Sequence, residues 1–317
     1  MTFAQLRTFA LVAELGSLRA AANALGVSEP AVSAAVAALR ADLDDPLFRR
    51  TGTGISLTPG GRALATRARE LVRLADRTRR EVGQASTAGH LRVLATAACA
   101  EHVAGAVVAA FTRRVNRTAV DLTVGSTDCA ATALAEDVAD IVLGVRPAPA
   151  PGSLTESVPF LRYERIVVAA PGHPLSGRAR LGAADLARSP WLTGPGGIEA
   201  GSEEERWADR AGLLPDVEEH ESEAAALAVV RSGSGLLLAL GHAVAVDLRN
   251  GTLVRLPVEG TPVTGLWWAT IPGEGRATSA ARALQRFLTT PDATSALLSR
   301  PGRQDRARPT VRVELWS

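Results

Sequence analysis

Three sets of side chains in this 317-residue chain have the types and spacing to do chemistry. Arg49 and Arg50 stand together beside a Gly-containing turn, where paired guanidinium groups suit phosphate oxygens. Thr96, Ser126, Thr127, Thr193 and Gly194 follow short apolar runs, where hydroxyls and free N–H groups at helix starts could hold a small anion such as a carboxylate. Each of them could equally be a plain helix cap. Cys99 and Cys129 could form a thiol pair, or serve as two small core residues. Nothing points to catalysis or to a metal. The five histidines are scattered without zinc-ligand spacing, and Gly194-Pro-Gly-Gly197 lacks the Lys-Ser/Thr ending of a phosphate loop. Gly233-Ser-Gly235 is not a nucleophile elbow, and no triad or carboxylate pair stands out. The reading is a non-enzyme with no cofactor.

The elements that must position these groups begin at the N-terminus. Leu6, Phe9, Ala10 and Ala13 form one helical stripe. Ser17 caps a second helix over Leu18 to Leu25, which Gly26 stops by entering the left-handed region. Val27 packs the turn. Ser28 is expected to cap a third helix, with Pro30 in its first turn and Val32, Val36, Leu39 and Leu43 as its apolar stripe. Two short strands then flank the 51–54 turn. Thr58-Pro59 opens a long helix to about Ala85, with Leu64, Ala68, Leu71, Ala75 and Val82 on one side.

Charge divides the chain. All 35 basic residues are arginine; residues 49–80 hold nine of them against two acids, while 89–299 hold 18 against 23. A basic segment beside an acidic domain is an electrostatic footprint for phosphates. Arg67, Arg69, Arg73, Arg77, Arg79 and Arg80 are better read as a solvated helix face, which leaves Arg49 and Arg50 as the phosphate candidates.

Helix, turn, helix, wing and long helix together resemble the N-terminal domain of LysR-type transcriptional regulators. The resemblance is dense over residues 3–72 and rests on Phe9, Val12-Ala13, Gly16-Ser17, Ala21-Ala22, Leu25, Val27-Ser28, Pro30 to Ser33, Leu39, Leu47 to Arg50 and Leu57 to Gly61. It implies that Ser28, Glu29, Pro30, Ser33 and Ala34 face the major groove of DNA, with Arg49, Arg50 and Thr53 at the wing. Where the family often has Gln, Arg or Gln, and Arg, this chain has Glu29, Ala34 and Thr53. A carboxylate can only accept, as from a cytosine amino group, whereas an amide reads adenine bidentately. A weaker single head and an altered base preference follow.

The remaining chain alternates apolar runs with helical spacing: 90–96, 100–114, 119–125, 130–135 and 139–144, then a second unit from 165. That order implies a parallel sheet with crossover helices. It resembles the two-lobed α/β effector domain of the same family, built like type 2 periplasmic binding proteins, with the chain crossing between lobes near 161–164 and 262–266. The expected domains are 1–58 winged helix-turn-helix, 59–88 linker and dimerisation helix, 89–299 effector-binding (lobe I 89–161 and 266–299, lobe II 162–265) and a flexible tail 300–317. A two-lobed α/β domain binds ligand outside the carboxyl ends of its strands, which gathers Thr96, Ser126, Thr127, Thr193 and Gly194. The family resemblance implies a homodimer through the linker helix, a homotetramer through effector domains, and an inverted-repeat operator in double-stranded DNA. The expected effector is a small anionic metabolite. A redox sensor using Cys99 and Cys129 is the alternative, and a solute-binding protein a remote one. No secretory signal or apolar span is read in the sequence, so a cytoplasmic location without membrane contact is expected.

Overall fold

The computed structural model describes residues 1–51, 54–86, 90–115, 118–150, 154–213, 217–273 and 275–298. The chain forms two compact units, Met1–Ser86 and Thr87–Ser317.

In the first unit, α1 (Phe3–Leu15), α2 (Leu18–Leu25) and α3 (Glu29–Leu43) are followed by a hairpin of β1 (Phe48–Thr51) and β2 (Gly54–Leu57), and then by α4 (Pro59–Ser86). Helices α2 and α3 meet at 112°, within the range of helix-turn-helix pairs. The Ser17 hydroxyl accepts from Ala20 N–H, and Gly16 and Gly26 end their helices with positive φ. Ser28 occupies the N-cap of α3 but makes no side-chain cap. Pro30 removes one of the two N–H groups such a cap uses, and Ala31 N–H turns to the Ser28 carbonyl instead. Val27 does not pack the turn: it is exposed, as is Leu43. Leu6, Phe9, Val12, Val32, Val36 and Leu39 share one core with Leu47, Phe48, Ala65 and Ala68, and the rings of Phe9 and Phe48 lie 5.0 Å apart.

A single loop fastens wing to long helix. Asp45 Oδ1 accepts from Leu47 N–H (2.6 Å) and from the Thr58 hydroxyl (2.7 Å), which in turn accepts from Gly61 N–H (2.8 Å) to cap α4. These two hydrogen bonds, Thr58 first, hold the Asp45 carboxyl below its ordinary range. A Cβ on Gly61 would stand 2.0 Å from the Leu47 carbonyl oxygen, so only glycine permits this approach.

The second unit is built on a seven-stranded sheet. β3 (His90–Ala95) lies between two parallel neighbours, β4 (Ala119–Val124) and β5 (Ile141–Gly144). α5 (Ala97–Cys99), a π-helical turn (Ala100–Ala104) and α6 (Gly105–Arg114) link β3 to β4, and α7 (Thr127–Ala135) links β4 to β5. One long strand, β6 (Thr155–Ala169), leads into the second unit predicted from 165 and runs antiparallel to β11 (Val263–Pro272) with a bulge at Trp267/Trp268. Gly265 faces Tyr163 in that pair; its missing Cβ makes room for the Tyr163 ring. These paired strands carry the chain through both lobes. Between them come α8 (Ala183–Leu186), β7 (Trp191–Thr193), α9 (Glu203–Ala211), β8 (Val217–Glu219), α10 (Glu223–Arg231), β9 (Leu237–Leu240), α11 (Ala245–Asn250) and β10 (Val254–Arg255). α12 (Ser279–Leu288) and α13 (Pro291–Leu298) close the described chain. Strands β9 and β10 pair with β6, and β7 pairs with β8. Leu91, Val93, Ala95, Phe111, Trp267 and Phe287 belong to one apolar core; Leu181, Trp191, Trp207 and Leu236 belong to another. No single helix among the described residues is long and apolar enough to cross a membrane.

Candidate functional site

In the first unit, the residues between the buried positions of α3 form one open face. Ser28, Glu29, Pro30, Ser33 and Ala34 are all exposed, while Val32 and Val36 point to the core. This is what a 3.6-residue period produces when one stripe is anchored and the opposite stripe is left free. Glu29 in the first turn also complements the positive end of the helix. Arg49 is exposed on β1, and Arg50 follows it in the strand. Thr53 lies outside the described residues.

In the second unit, a cavity of about 70 Å³ opens beside the carboxyl end of β7. Trp191, Leu192, Thr193 and Gly194 form one wall, the 194–199 loop and the start of α9 a second, and Ala97, Ala98 and Glu101 a third. Tyr163 and Arg165 of β6 and Trp267 of β11 form its floor. Arg165 is held at two nitrogens: Nε meets Glu204 Oε1 at 2.9 Å, and Nη1 meets Glu223 Oε1 at 3.0 Å and donates to the Leu238 carbonyl at 2.9 Å. Burial disfavours its charge, yet Glu223 and Glu204 outweigh burial and hold it more firmly protonated. Burial likewise pushes Glu223 upward, but Arg165 and His102 bring its carboxyl down to about 2. The second Glu223 oxygen lies 3.2 Å from His102 Nε2. The Tyr163 hydroxyl donates to Glu204 Oε2 at 3.2 Å; burial, then the neighbouring Glu204 charge, raise its pKa far above that of free tyrosine.

Helix α10 begins at this network, and its first N–H groups are already taken. Glu101 accepts from Glu223 N–H at 2.9 Å and from Ala224 N–H at 2.8 Å. Gly194 lets the β7 loop close on the same helix start, since a Cβ there would meet Glu223 N at 3.0 Å.

Of the sequence-predicted residues, Thr193 and Gly194 line the cavity. Thr96 is fully buried, with its hydroxyl packed against Gly144 and without a hydrogen-bond partner. Ser126 and Thr127 do not line the cavity. The Ser126 hydroxyl caps α7 by accepting from Cys129 N–H, and Thr127 is buried beneath it. Sequence reading missed Glu101, Arg165, Glu199, Glu204 and Glu223, which meet only through long-range folding. Among the described residues, the charged side chains of these walls are four glutamates and one arginine.

The thiols are not paired. Cys99 packs with Leu91, Val93 and Ala95, whereas α7, which carries Cys129, packs Ala130 and Leu134 on Leu94 and Val142. Neighbouring residues of a strand point to opposite faces, so the two helices cover opposite sides of the sheet. Cys99 is buried and its pKa stands well above that of a free thiol, chiefly through burial and then through Glu199. Cys129 is exposed. The redox alternative is not favoured.

Residues 3–62 match the bacterial regulatory helix-turn-helix domain of the lysR family, and residues 84–291 match the LysR substrate binding domain. The chain belongs to the LysR family of transcriptional regulators. This LysR chain is 38% identical to the HTH-type transcriptional regulator Rv0377 of Mycobacterium tuberculosis across all of both sequences. It is 31% identical to the regulator CbbR of Xanthobacter flavus over 90% of this chain and 87% of that one. Among solved structures, full-length CbnR in complex with its target DNA has a TM-score of 0.55 at 24% identity, covering 93% of this chain and all of that one. The LysR regulator HinK of Pseudomonas aeruginosa has a TM-score of 0.51 at 21% identity over 91% of this chain and 97% of that one. The LysR fold and a role in transcription rather than catalysis follow from these matches.

Proposed function

We propose that this LysR regulator binds an inverted-repeat operator through α3 and the wing, and that a small molecule in the β7 cavity changes that binding. The cavity carries the proposal, because buried polar groups normally have partners and several here have none. The Trp191 indole N–H, the Thr193 hydroxyl and both oxygens of Glu199 are shielded from water and unpartnered at its walls. A ligand that satisfied them in only one arrangement of the lobes would shift the population toward that arrangement. Thr193 and Gly194 are its proposed contacts; Thr96 acts behind them, next to Glu199. Ser28, Glu29, Pro30, Ser33 and Ala34 read bases, while Arg49, Arg50 and Thr53 hold the backbone and minor groove at the wing.

The long helix supports a dimer. Leu71, Leu74 and Val82 are large apolar residues left exposed on α4, and Leu71 and Leu74 border an apolar hollow with Phe3 and Leu6 of α1. A second copy of the helix would cover them. The division at 58, 88 and 299, a tetramer through the effector domains and action in the cytoplasm belong to the same reading.

The test is selection of bound duplexes from a randomised pool, followed by footprinting of the selected site with and without a metabolite extract. Wild type is expected to protect two symmetric half-sites and to change its footprint with extract. Ile198→Trp, which fills the cavity, is expected to keep the footprint and lose the response. An extract response that survives in Ile198→Trp would place the effector elsewhere.

A further inference from the structure

We propose that the ligand of the β7 cavity carries a cationic hydrogen-bond donor, an ammonium or guanidinium group, that pairs with Glu199. This rests on the reading of that cavity as the effector site and assigns its charge class. Three observations carry it.

The first is the charge left over. Glu101, Glu199, Glu204 and Glu223 face the cavity with Arg165 as the one basic residue among its lining. Arg165 is already shared between Glu204 and Glu223. His102 lies against Glu223, and among the described residues no other cation lines the space. An incoming carboxylate would meet a surplus of its own sign at short range, where low dielectric strengthens repulsion.

The second is the start of α10. A helix N-terminus is a ready anion site, but here the Glu101 carboxylate holds its first two N–H groups. A ligand carboxylate would have to displace a tethered carboxylate already in place.

The third is Glu199 itself. Both of its oxygens are hidden from solvent, and neither has a hydrogen-bond partner. The Thr96 hydroxyl and Ala98 N–H stand close enough to favour its charge, but without hydrogen-bond geometry. Burial dominates and raises its pKa. A buried carboxylate so poorly served by donors is costly, and a ligand N–H reduces that cost. Trp191, only 3% exposed, lines the same cavity and carries an unpartnered indole N–H. The ligand therefore also presents a neutral acceptor, such as a hydroxyl or carbonyl. Leu192, Ile198 and Leu237 give the walls an apolar remainder that suits a short alkyl stem.

The experiment uses the full-length protein and three short alkyl probes, n-butylammonium, n-butylguanidinium and butyrate, at matched ionic strength. Binding is read by titration calorimetry and by the shift of the thermal midpoint. At least one cation is expected to bind wild type and raise its midpoint, with butyrate at least tenfold weaker. Glu199→Gln is expected to weaken the cation at least tenfold, and to unfold no earlier than wild type without probe, because it removes an unpartnered charge. Glu199→Asp keeps the charge and is expected to keep the order of preference. The proposal is overturned if butyrate binds wild type better than either cation, if Glu199→Gln binds the cations as well as wild type does, or if neither cation binds. Ile198→Trp separates the two readings. Butyrate binding abolished by that substitution would leave the cavity as the effector site with the opposite charge preference. Probe binding indifferent to it would remove the cavity as well.

Discussion

Replacing Arg165 by methionine is expected to destabilise the effector domain strongly at neutral pH and much less in acid. The guanidinium serves two shielded carboxylates, Glu204 and Glu223, whose side chains are 9% and 10% exposed. Holding Glu223 at about 2 rather than the 4.5 of a free glutamate corresponds to about 3 kcal/mol. Burial opposes that shift, so Arg165 and His102 together supply more than this net figure. Breaking a buried pair from one side costs roughly 3–5 kcal/mol, because the other charge stays behind. In a domain of this size that lowers the thermal midpoint by about 6–20 °C. The pH dependence has a definite sign. In wild type the Glu223 contribution is complete above about 4.5 and is lost as pH falls toward 2. In Arg165→Met, burial no longer opposed by Arg165 is expected to push the Glu223 carboxyl upward, so the penalty of its charge shrinks as pH falls from 7 toward 4.5. The gap between the two proteins therefore narrows across pH 7 to 4. The assay is differential scanning calorimetry of both full-length proteins at several pH values. The triple variant Arg165→Met/Glu204→Gln/Glu223→Gln, which removes the charges together, is expected to regain most of the loss. A single-variant loss below about 1 kcal/mol, or a gap that does not change with pH, would refute the account of Arg165 as counter-ion to both glutamates.

Other outcomes follow from the first unit and the thiols. Thr58→Val removes the α4 cap and leaves Gly61 N–H without its acceptor; a loss of about 1–3 kcal/mol is expected in urea unfolding followed on the N-terminal unit. Gly61→Ala forces a methyl into the Leu47 carbonyl, and is expected to cost about 1–3 kcal/mol and weaken operator binding in a gel-shift titration. Glu29→Gln is expected to change the preferred base at one position of each half-site, scored by repeating the duplex selection. In a mass-spectrometric labelling series Cys129 is expected to react with a thiol reagent long before Cys99, and Cys99→Ser/Cys129→Ser to keep the effector response. Loss of response in that double variant would restore the redox reading.

The DNA-reading unit was legible because its determinants are local. Ser17 and Ala20, Gly26 and Ala22, and Thr58 and Gly61 are cap pairs three or four residues apart, and each is visible as a residue type at a fixed offset. Ser28 misled because Pro30, itself a good helix-start signal, removes an N–H that a cap would use. The cavity was legible only where a strand end is also a local motif, at Thr193-Gly194. Ser126 looked identical in sequence, but its hydroxyl is spent on α7. The groups that give the cavity its charge are joined across 58 residues (Arg165 to Glu223) and 122 residues (Glu101 to Glu223). No spacing rule spans such gaps. Glu199 follows the glycine-rich 194–197 stretch, whose spacing speaks only to phosphate loops and says nothing of a neighbouring carboxylate.

The Asp45–Thr58–Gly61 clasp has a mechanical consequence. It welds the wing to one end of a 28-residue helix, about 42 Å long at 1.5 Å per residue. Wing and helix then swing as one stiff arm. A tilt of ten degrees about the far end of α4 carries the near end through about 7 Å, or two base-pair steps of 3.4 Å. If α3 reads bases in a dimer as proposed, small rotations at one end of the arm would become whole-step changes in where that face lands, and half-site spacing would gauge the linker-helix angle.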